Sequence, residues 1–305
     1  MKKIIYGSWL VGVALLAPGC GGSGGGVGRV QVFITAEDTI PDGLQPGTGA
    51  ENVQDGWTVT YQKYLLALGN FRAARSVNAA DKLSEPKVYV LDLKNLPAGG
   101  FLLADFAGVA AERWDKVGFD LPNANTASIC APGVSAFDCN LMKTSGYSLY
   151  FEATLTKADG RSCKPDAPSD CVARSSVSFK WGFNAGTSFD DCSPPSGDAG
   201  FAVPTGGVAA VKPTIHGDHW FFTSFVHQEA RRRAQWIADA DLDRDGQTTL
   251  EEIRRVQASN VFPASVYNLS GGGTISTAYD YAVAQVRSLG DFQGDGECPT
   301  RRPLP

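Results

Sequence analysis

Apolar and polar residues alternate along much of residues 29–216, which is the pattern of β-strands with one buried face. Val30, Val32 and Ile34 share one side of the first such segment. Seven further segments are predicted to be strands: 57–68, 87–93, 100–105, 114–121, 147–156, 175–184 and 207–216. Connections rich in Gly, Pro, Asn and Asp separate them, without a helix-period segment in between. We therefore predict an antiparallel β-sandwich.

The pattern changes to a helical period after residue 216. Apolar residues recur on one helical face of residues 221–240, a segment that contains neither Pro nor Gly. Leu250, Ile253 and Val256 then recur three apart, and Pro263 ends this second predicted helix. The sequence thus predicts an α+β protein in which a sandwich domain, residues 29–216, is followed by a helical domain, residues 217–305.

Oxygen-bearing residues occur at a fixed spacing in residues 241–252, between the two predicted helices. Asp241, Asp243 and Asp245 occupy loop positions one, three and five, and Gly246 at position six allows a sharp turn. Position seven offers the backbone carbonyl of Gln247. Position nine is Thr249, which would act through a water, and position twelve is Glu252. The spacing matches the calcium-loop pattern D-x-[DN]-x-[DN]-G-x5-E. The segment resembles the EF-hand family, and this resemblance implies one Ca²⁺ ion between two helices.

The segment departs from the EF-hand pattern at loop position eight, where an aliphatic residue usually pairs with the loop of a partner hand. Thr248 occupies this position, and the segment that begins at Asp291 fails as a second loop because Arg302 replaces the required Glu. A single hand is not expected to open a groove as calcium sensors do, so we expect a structural calcium. The alternative, an acidic solvated turn, would require neither Gly246 nor Glu252.

The three histidines of the chain, His216, His219 and His227, lie within twelve residues of one another. Imidazole and carboxylate ligands together suit zinc or copper. A compact site could use His216, Asp218 and His219 with one further ligand from the β-rich part. His227 is two helical turns beyond His219 and fits such a site poorly. In the alternative interpretation these are packing and capping residues, with Asp218 as a helix N-cap.

Three apolar strand patterns, in residues 56–68, 88–93 and 117–121, follow one another along the chain. Their order resembles that in periplasmic copper-binding proteins of the methanobactin-associated, four-cysteine type. The resemblance includes no metal ligands and therefore implies no site residues. It favours the second functional hypothesis, a periplasmic copper- or zinc-binding protein that uses His216 and His219.

The N-terminus has the layout of a secretory signal. Lys2 and Lys3 precede an apolar run, residues 4–17, which is too short to span a bilayer. Cys20 resembles the lipidated cysteine of a bacterial lipobox, so residues 1–20 are predicted to be a signal peptide with a lipobox and residues 21–28 a glycine-rich tether. We expect a lipid-anchored protein of the bacterial cell envelope, attached to the outer membrane or facing the periplasm.

The six cysteines beyond Cys20 fit an oxidising compartment. Fifteen pairings are possible, and three pairs are the simplest: Cys130 with Cys139, Cys163 with Cys171, and Cys192 with Cys298. The first two would close local loops, and the third would tie the body to the C-terminal tail. A zinc cluster is the competing interpretation, but the chain has no CxxC pair.

The formal net charge of −5 argues against a nucleic-acid partner, which would require clustered Lys and Arg. The basic triplet at residues 231–233 would spread around a helix as a solvated face. The chain has no G-x-S-x-G motif and no distinctive carboxylate pair, so no enzymatic activity is predicted. A calcium-binding envelope lipoprotein is the favoured function. A scaffold or adhesion module stays open, and no protein partner is identified.

Overall fold

The computed structural model describes residues 25–226 and 229–305. The predicted signal peptide with Cys20, the first half of the predicted tether, and His227 lie outside the described residues. The first strand begins at Val27, so the last two residues of the predicted tether belong to a sheet. Among the described residues, no helix is long and apolar enough to cross a bilayer.

The described residues form mainly β-structure with a few short helices. In chain order the strands are β1 (Val27–Ala36), β2 (Thr58–Arg75), β3 (Asn78–Asp92), β4 (Phe101–Ala110), β5 (Arg113–Trp114), β6 (Lys116–Leu121), β7 (Ile129–Cys130), β8 (Leu149–Thr156), β9 (Arg161–Lys164), β10 (Ala167–Ala173), β11 (Ser176–Phe183), β12 (Thr187–Asp190), β13 (Phe201–Ala202), β14 (Val208–Val211), β15 (Pro213–Ile215), β16 (Gln247–Thr248), β17 (Gly290–Phe292) and β18 (Thr300–Pro303). The α-helices are α1 (Ala136–Ser145), α2 (Gln235–Asp239), α3 (Leu250–Arg255), α4 (Ala258–Val261) and α5 (Ala278–Val286).

The two larger sheets enclose the main hydrophobic core in a sandwich-like arrangement, while β9 with β10 and β5 with β13 form two separate two-stranded sheets. The main sheet has the order β16-β11-β8-β2-β6-β12-β18, with β3 beside β2 and β7 beside β3. The second sheet has the order β14-β1-β15-β17, and β4 lies on the other edge of β1. All eight predicted strand segments are confirmed as strands. The predicted antiparallel order holds for β3-β2-β8-β11, but β1 runs parallel to β14 and β15, and β11 runs parallel to β16.

The predicted boundary at residue 216 does not coincide with a break in either sheet. β16 and β18 extend the main sheet, and β17 pairs with β15 in the second sheet. The core also continues across this position, because Trp220, Trp236 and Tyr281 pack with residues of β2, β8 and β11 in one cluster. The C-terminal third is therefore built into the same body.

The long helix predicted over residues 221–240 is wrong. Of the residues described in this range, only those of α2 are α-helical, and a 3-10 turn at His219–Phe221 precedes them. The segment between them folds back on itself: Phe222 pairs with Arg232, and the amide of Thr223 donates to the carbonyl of Arg231 at 2.8 Å. Arg232 is buried against Asp218, so a tertiary ion pair overrides the helical period of the sequence.

The second predicted helix is shorter than expected, and one further helix lies where none was predicted. α3 ends at Arg255, because the C-cap Val256 is extended and its carbonyl accepts the amide of Ala278 at 2.9 Å. The helix α1 begins at its N-cap Ser135 and buries only Cys139 and Met142, so its apolar periodicity is too weak to be seen in the sequence.

Aromatic side chains fill the space between the main sheet and residues 219–281. The ring of Phe151 in β8 has its centroid 4.8 Å from that of Trp220 and 5.7 Å from that of Trp181. Trp181 in turn lies 5.7 Å from Trp236, which precedes the predicted calcium loop. Burial of each such ring stabilises the fold by about 1.5–3 kcal/mol, so this layer anchors the C-terminal third on the sheet.

The three predicted disulfides are confirmed: Cys130–Cys139, Cys163–Cys171 and Cys192–Cys298. The third joins residues that are 106 apart in sequence, and it links the segment after β12 to the C-terminal tail. A framework of this kind is typical of proteins that fold in an oxidising compartment outside the cytoplasm.

Candidate metal centres

The predicted calcium loop lies between α2, which has five residues, and α3, which has six. One carboxylate oxygen from each of Asp241, Asp243 and Glu252 lies within 4.8 Å of the other two. Asp241 and Glu252 are buried, whereas Asp243 is exposed. The structure therefore brings together the residues at loop positions one, three and twelve, although the helices beside them are shorter than predicted.

Backbone amides fold the loop around Asp241. Its Oδ2 accepts a hydrogen bond from the amide of Gly246 at 2.9 Å, and its Oδ1 accepts one from the amide of Asp245 at 3.1 Å. Gly246 has a φ of 92°, a left-handed conformation that a residue with a Cβ adopts only with strain. The turn expected at loop position six is thus made by the one residue type that suits it.

Of the remaining predicted ligands, Thr249 contacts one of these carboxylates, whereas Asp245 is not among the carboxylates that converge. Thr249 is the N-cap of α3, and its hydroxyl donates to Glu252 Oε2 at 2.8 Å. Glu252 Oε1 accepts the amide of Leu242 at 2.8 Å, which ties the two ends of the loop together. Asp245 is exposed, and its Oδ1 accepts the amide of Gln247 at 2.7 Å. The residue at position twelve therefore serves both as capping-box partner and as a member of the acidic cluster.

The loop concentrates negative charge in a partly buried place. Burial raises the pKa of Asp241 above its usual range, and the charges of Glu252 and Asp245 raise it further. The guanidinium of Arg174, whose Nε lies 3.8 Å from Asp241 Oδ2, lowers it in part. A hard divalent cation would relieve both the burial cost and the mutual repulsion of these carboxylates.

Thr248, at loop position eight, connects the loop to the main sheet. It lies in β16 opposite Phe179 of β11, and its neighbour Gln247 lies opposite Ser178. The indole of Trp181 donates to the carbonyl of Thr248 at 2.9 Å, and the buried Thr248 hydroxyl donates to the carbonyl of Ile237 at 2.7 Å. The edge of the main sheet therefore supplies the pairing that a partner hand would supply, and a threonine with a buried hydroxyl fits where an aliphatic residue was expected.

The histidine cluster lies at the second sheet, where two parallel strands end. Glu37 directly follows β1 and His216 directly follows β15, so the parallel pairing brings both residues to one edge. His216 Nδ1 lies 3.1 Å from Glu37 Oε2, and His216 Nε2 lies 3.1 Å from Asp291 Oδ2 in β17. Glu37 is the ligand candidate from the β-rich part that the sequence left unspecified.

Asp218 lies between the two imidazoles and has no solvent exposure. Its Oδ2 accepts a hydrogen bond from Arg232 Nε at 2.6 Å. Its Oδ1 lies 3.7 Å from His216 Nδ1 and 4.0 Å from His219 Nε2, and it has no hydrogen-bond partner among the described residues. Asp218 occupies the N-cap position of the turn at His219–Phe221, as predicted, and its backbone carbonyl accepts the amide of Phe221 at 2.9 Å, but its side chain caps none of the amides.

The Nδ1 side of the His219 ring contacts Ser288. Its Nδ1 lies 2.8 Å from the Ser288 hydroxyl, which itself donates to the carbonyl of Gln285 at 2.9 Å. The rings of His216 and His219 have their centroids 5.3 Å apart. His216, Asp218 and His219 thus share one buried place, while His227 lies outside the described residues.

The charged neighbours in this cluster shift the pKa values of His216 and Asp218. Burial alone would lower the pKa of His216, but its contacts with Asp218 and Glu37 and the charge of Asp291 raise that pKa well above its usual value. Burial alone would raise the pKa of Asp218, but the neighbouring His216, His219 and Arg232 hold it well below the usual range. Both shifts have the same direction in energy: positive charge beside the Asp218 carboxylate is favoured.

Sequence reasoning missed three residues of the cluster. Arg232 was assigned to a solvated helix face, yet it is buried against Asp218. Asp291 was considered only as the start of a failed calcium loop, and Glu37 was not considered. One feature could have pointed to Glu37: it directly follows a strand, as His216 does, and both strands belong to the second sheet.

Comparison with protein-family models, curated proteins and solved structures found no match to this chain. The functional argument therefore depends on the residues themselves and on the places that the fold gives them. The resemblances to EF-hands and to periplasmic copper-binding proteins stay predictions.

Proposed function

We propose that the protein binds one Ca²⁺ ion in residues 241–252 and that this ion has a structural role. The observation that supports the proposal is the convergence of Asp241, Asp243 and Glu252 in a loop with EF-hand spacing. Further support comes from Thr248, which pairs with β11 where a second hand would otherwise be needed. A single loop attached to a sheet suits a fixed ion better than a conformational sensor.

The ion would act by removing repulsion inside the loop. Without a cation, the carboxylates of Asp241, Asp243 and Glu252 repel one another and favour a splayed loop. With calcium, the shell would be completed by Asp245, the Gln247 carbonyl and a water held by Thr249. Closing the loop then keeps β16 paired with β11 and holds α3 against the core. Calcium binding is in this way part of folding.

We also propose that the protein is a lipoprotein of the cell envelope, anchored through Cys20. The three disulfides support an oxidising compartment, and the sequence of residues 1–20 supports export. Calcium sites of extracellular modules bind at roughly 10⁻⁴–10⁻³ M, which suits the exterior of a cell. Partition of the expressed protein into detergent, and its loss in Cys20→Ala, tests the anchor.

The calcium proposal is tested by thermal and chemical unfolding of the chelated protein with and without added Ca²⁺. At a free calcium concentration of one hundred times Kd, the free energy of unfolding should increase by about 2.7 kcal/mol. Glu252→Gln should abolish this increase. Glu251→Gln is the matched control, because Glu251 is an exposed neighbour on the same turn of α3. Equal unfolding curves with and without calcium would disprove the structural role.

A further inference from the structure

We propose that Arg174 sets the calcium affinity of the loop at residues 241–252, as a fixed positive charge that the incoming ion must approach. The inference rests on the proposed calcium function and adds a residue that lies outside the twelve loop positions. Arg174 provides no ligand. Its charge would hold the affinity of the loop about tenfold below the value that the carboxylates alone would give.

The guanidinium of Arg174 lies against the carboxylate at loop position one. Its Nε is 3.8 Å from Asp241 Oδ2, which is an ion-pair distance and too long for a hydrogen bond. This Nε is buried and has no hydrogen-bond partner among the described residues. A Cβ at Gly246 would lie 3.2 Å from Arg174 Nη1, so the same side chain also covers the turn. The cation therefore lies beside both position one and position six.

Arg174 is held in this place by its backbone and by its side chain. It directly follows β10, and its amide donates to the carbonyl of Gly160 at 2.8 Å. Its Nη2 donates to the carbonyl of Arg244 at loop position four. Three residues earlier, Cys171 forms the disulfide with Cys163 that joins β10 to β9. The guanidinium therefore cannot move away from an entering ion without breaking its hydrogen bond to the loop.

A second arginine, Arg244, lies within the loop itself but has its own counter-ion. Its Nη2 donates to the carbonyl of Asp170 at 2.7 Å and to Asp170 Oδ1 at 2.8 Å. Asp170 thus offsets part of its charge, although it also pairs with Lys164 at 3.0 Å. Among the ion pairs of the described residues, that of Arg174 is with Asp241. The charge of Arg174 therefore acts on a predicted calcium ligand.

Arg174 has opposite effects on this carboxylate and on an ion bound to it. Burial raises the pKa of Asp241, and the charge of Arg174 lowers that pKa in part, which favours the ionised ligand. The same charge repels Ca²⁺. At a pH well above the carboxylate pKa values, Asp241 is ionised with or without Arg174. The repulsion is then the effect of Arg174 that remains.

The size of the repulsion follows from the geometry. Ca²⁺ lies about 2.3–2.6 Å from its ligand oxygens, so an ion bound to Asp241 would be about 6 Å from the guanidinium. Charges of +2 and +1 at this separation repel, in a medium like water, by an amount that corresponds to about a tenfold loss of affinity. Calcium loops are tuned by their ligand charge. A neighbouring arginine has the same effect as removing part of that charge.

The test is calorimetric titration of Ca²⁺ into the chelated protein at about pH 8 and about 0.01 M salt. Arg174→Gln removes the charge and keeps an amide that can donate to the carbonyl of Arg244. It should bind calcium about tenfold more tightly than wild type. Arg174→Lys keeps the charge and should stay within about threefold of wild type.

Salt dependence separates a charge effect from a structural one. In about 1 M salt the Debye length falls to about 3 Å, and the difference between Arg174→Gln and wild type should shrink to less than about threefold. Lys180→Gln is the matched control, because it removes one positive charge from an exposed position of β11, where Lys180 pairs with Glu152 at 3.2 Å. Its calcium affinity should equal that of wild type.

Calcium binding by Arg174→Gln that is equal to or weaker than that of wild type would overturn the role of Arg174 and leave the calcium site standing. So would a gain in affinity that persists unchanged in high salt. If neither wild type nor Arg174→Gln binds calcium, the proposed function fails and this inference fails with it. Circular dichroism checks folding. If Arg174→Gln does not fold, Arg174→Met, which keeps the aliphatic stem, should show the same gain.

Discussion

The two candidate metal centres differ in how their ligands are distributed along the chain. The predicted calcium loop would take all its ligands from residues 241–252, whereas the histidine cluster joins Glu37 to residues 216–219 and contacts Asp291. A contiguous site needs only a local turn to form. A dispersed site exists only when β1, β15 and β17 are already paired. A metal ion in the first site would therefore add stability to the fold, whereas metal binding at the second would depend on a fold that is already formed.

The largest expected effect concerns the disulfide that closes the C-terminal tail. Replacing Cys192 and Cys298 by serine should lower the free energy of unfolding by about 4.7 kcal/mol, since the closed loop spans 106 residues. The same change at Cys163 and Cys171, eight residues apart, should cost about 2.5 kcal/mol. Chemical denaturation measures both.

Loss of the Cys192–Cys298 disulfide should also affect the two candidate metal centres differently. Cys298 follows β17, which carries Asp291, so loss of this disulfide should weaken any zinc binding at the cluster. Calcium affinity of the folded fraction should stay the same, because the loop is closed by its own residues. Equal losses at both centres would contradict the distinction between a contiguous and a dispersed site.

A second prediction concerns Arg232, which pairs with the buried Asp218. Arg232→Met should lower the free energy of unfolding by about 3–5 kcal/mol, because it leaves a carboxylate buried without its guanidinium. The control is Arg231→Met at an exposed neighbouring position, which should change it by less than about 0.5 kcal/mol. Urea denaturation checks both variants, and a small effect of Arg232→Met would show that the cluster is not buried as described.

The smallest predicted effect is at the contact between the loop and the sheet. Thr248→Val keeps the side-chain shape but removes the hydroxyl that donates to the carbonyl of Ile237. We expect a loss of about 1 kcal/mol in the free energy of unfolding, and retained calcium binding because the backbone pairing with β11 persists. A complete loss of calcium binding in this variant would mean that the hydroxyl, and not the sheet edge, holds the loop.

Much of the fold follows from periodicity in the sequence. β8 and β11 were predictable because Leu149, Phe151, Val177 and Phe179 alternate with polar neighbours, and their buried faces meet in the core. The helix expected over residues 221–240 failed for a tertiary reason. The pairing of Phe222 with Arg232 and the ion pair with Asp218 are stronger than the local helical preference, and neither can be read from spacing.

The two sites were predictable to different degrees for the same reason. Loop positions are defined by neighbours in sequence, so Asp241, Asp243 and Glu252 could be named in advance. Glu37 and Asp291 approach His216 only through the parallel pairing of β1 with β15 and the antiparallel pairing of β15 with β17. Sequence spacing holds no information about such contacts between distant segments.

The short pairing of β16 with β11 has a consequence for the behaviour of the protein outside its folded monomer. β16 covers β11 at Ser178 and Phe179, and without it the outer backbone groups of β11 would be open to strands of other chains. If calcium keeps the loop in place, then chelation should expose the aggregation-prone edge of β11 at a temperature below that at which the core unfolds. Turbidity of chelated samples would then rise below the unfolding temperature, and calcium supply would set the solubility of this protein as well as its shape.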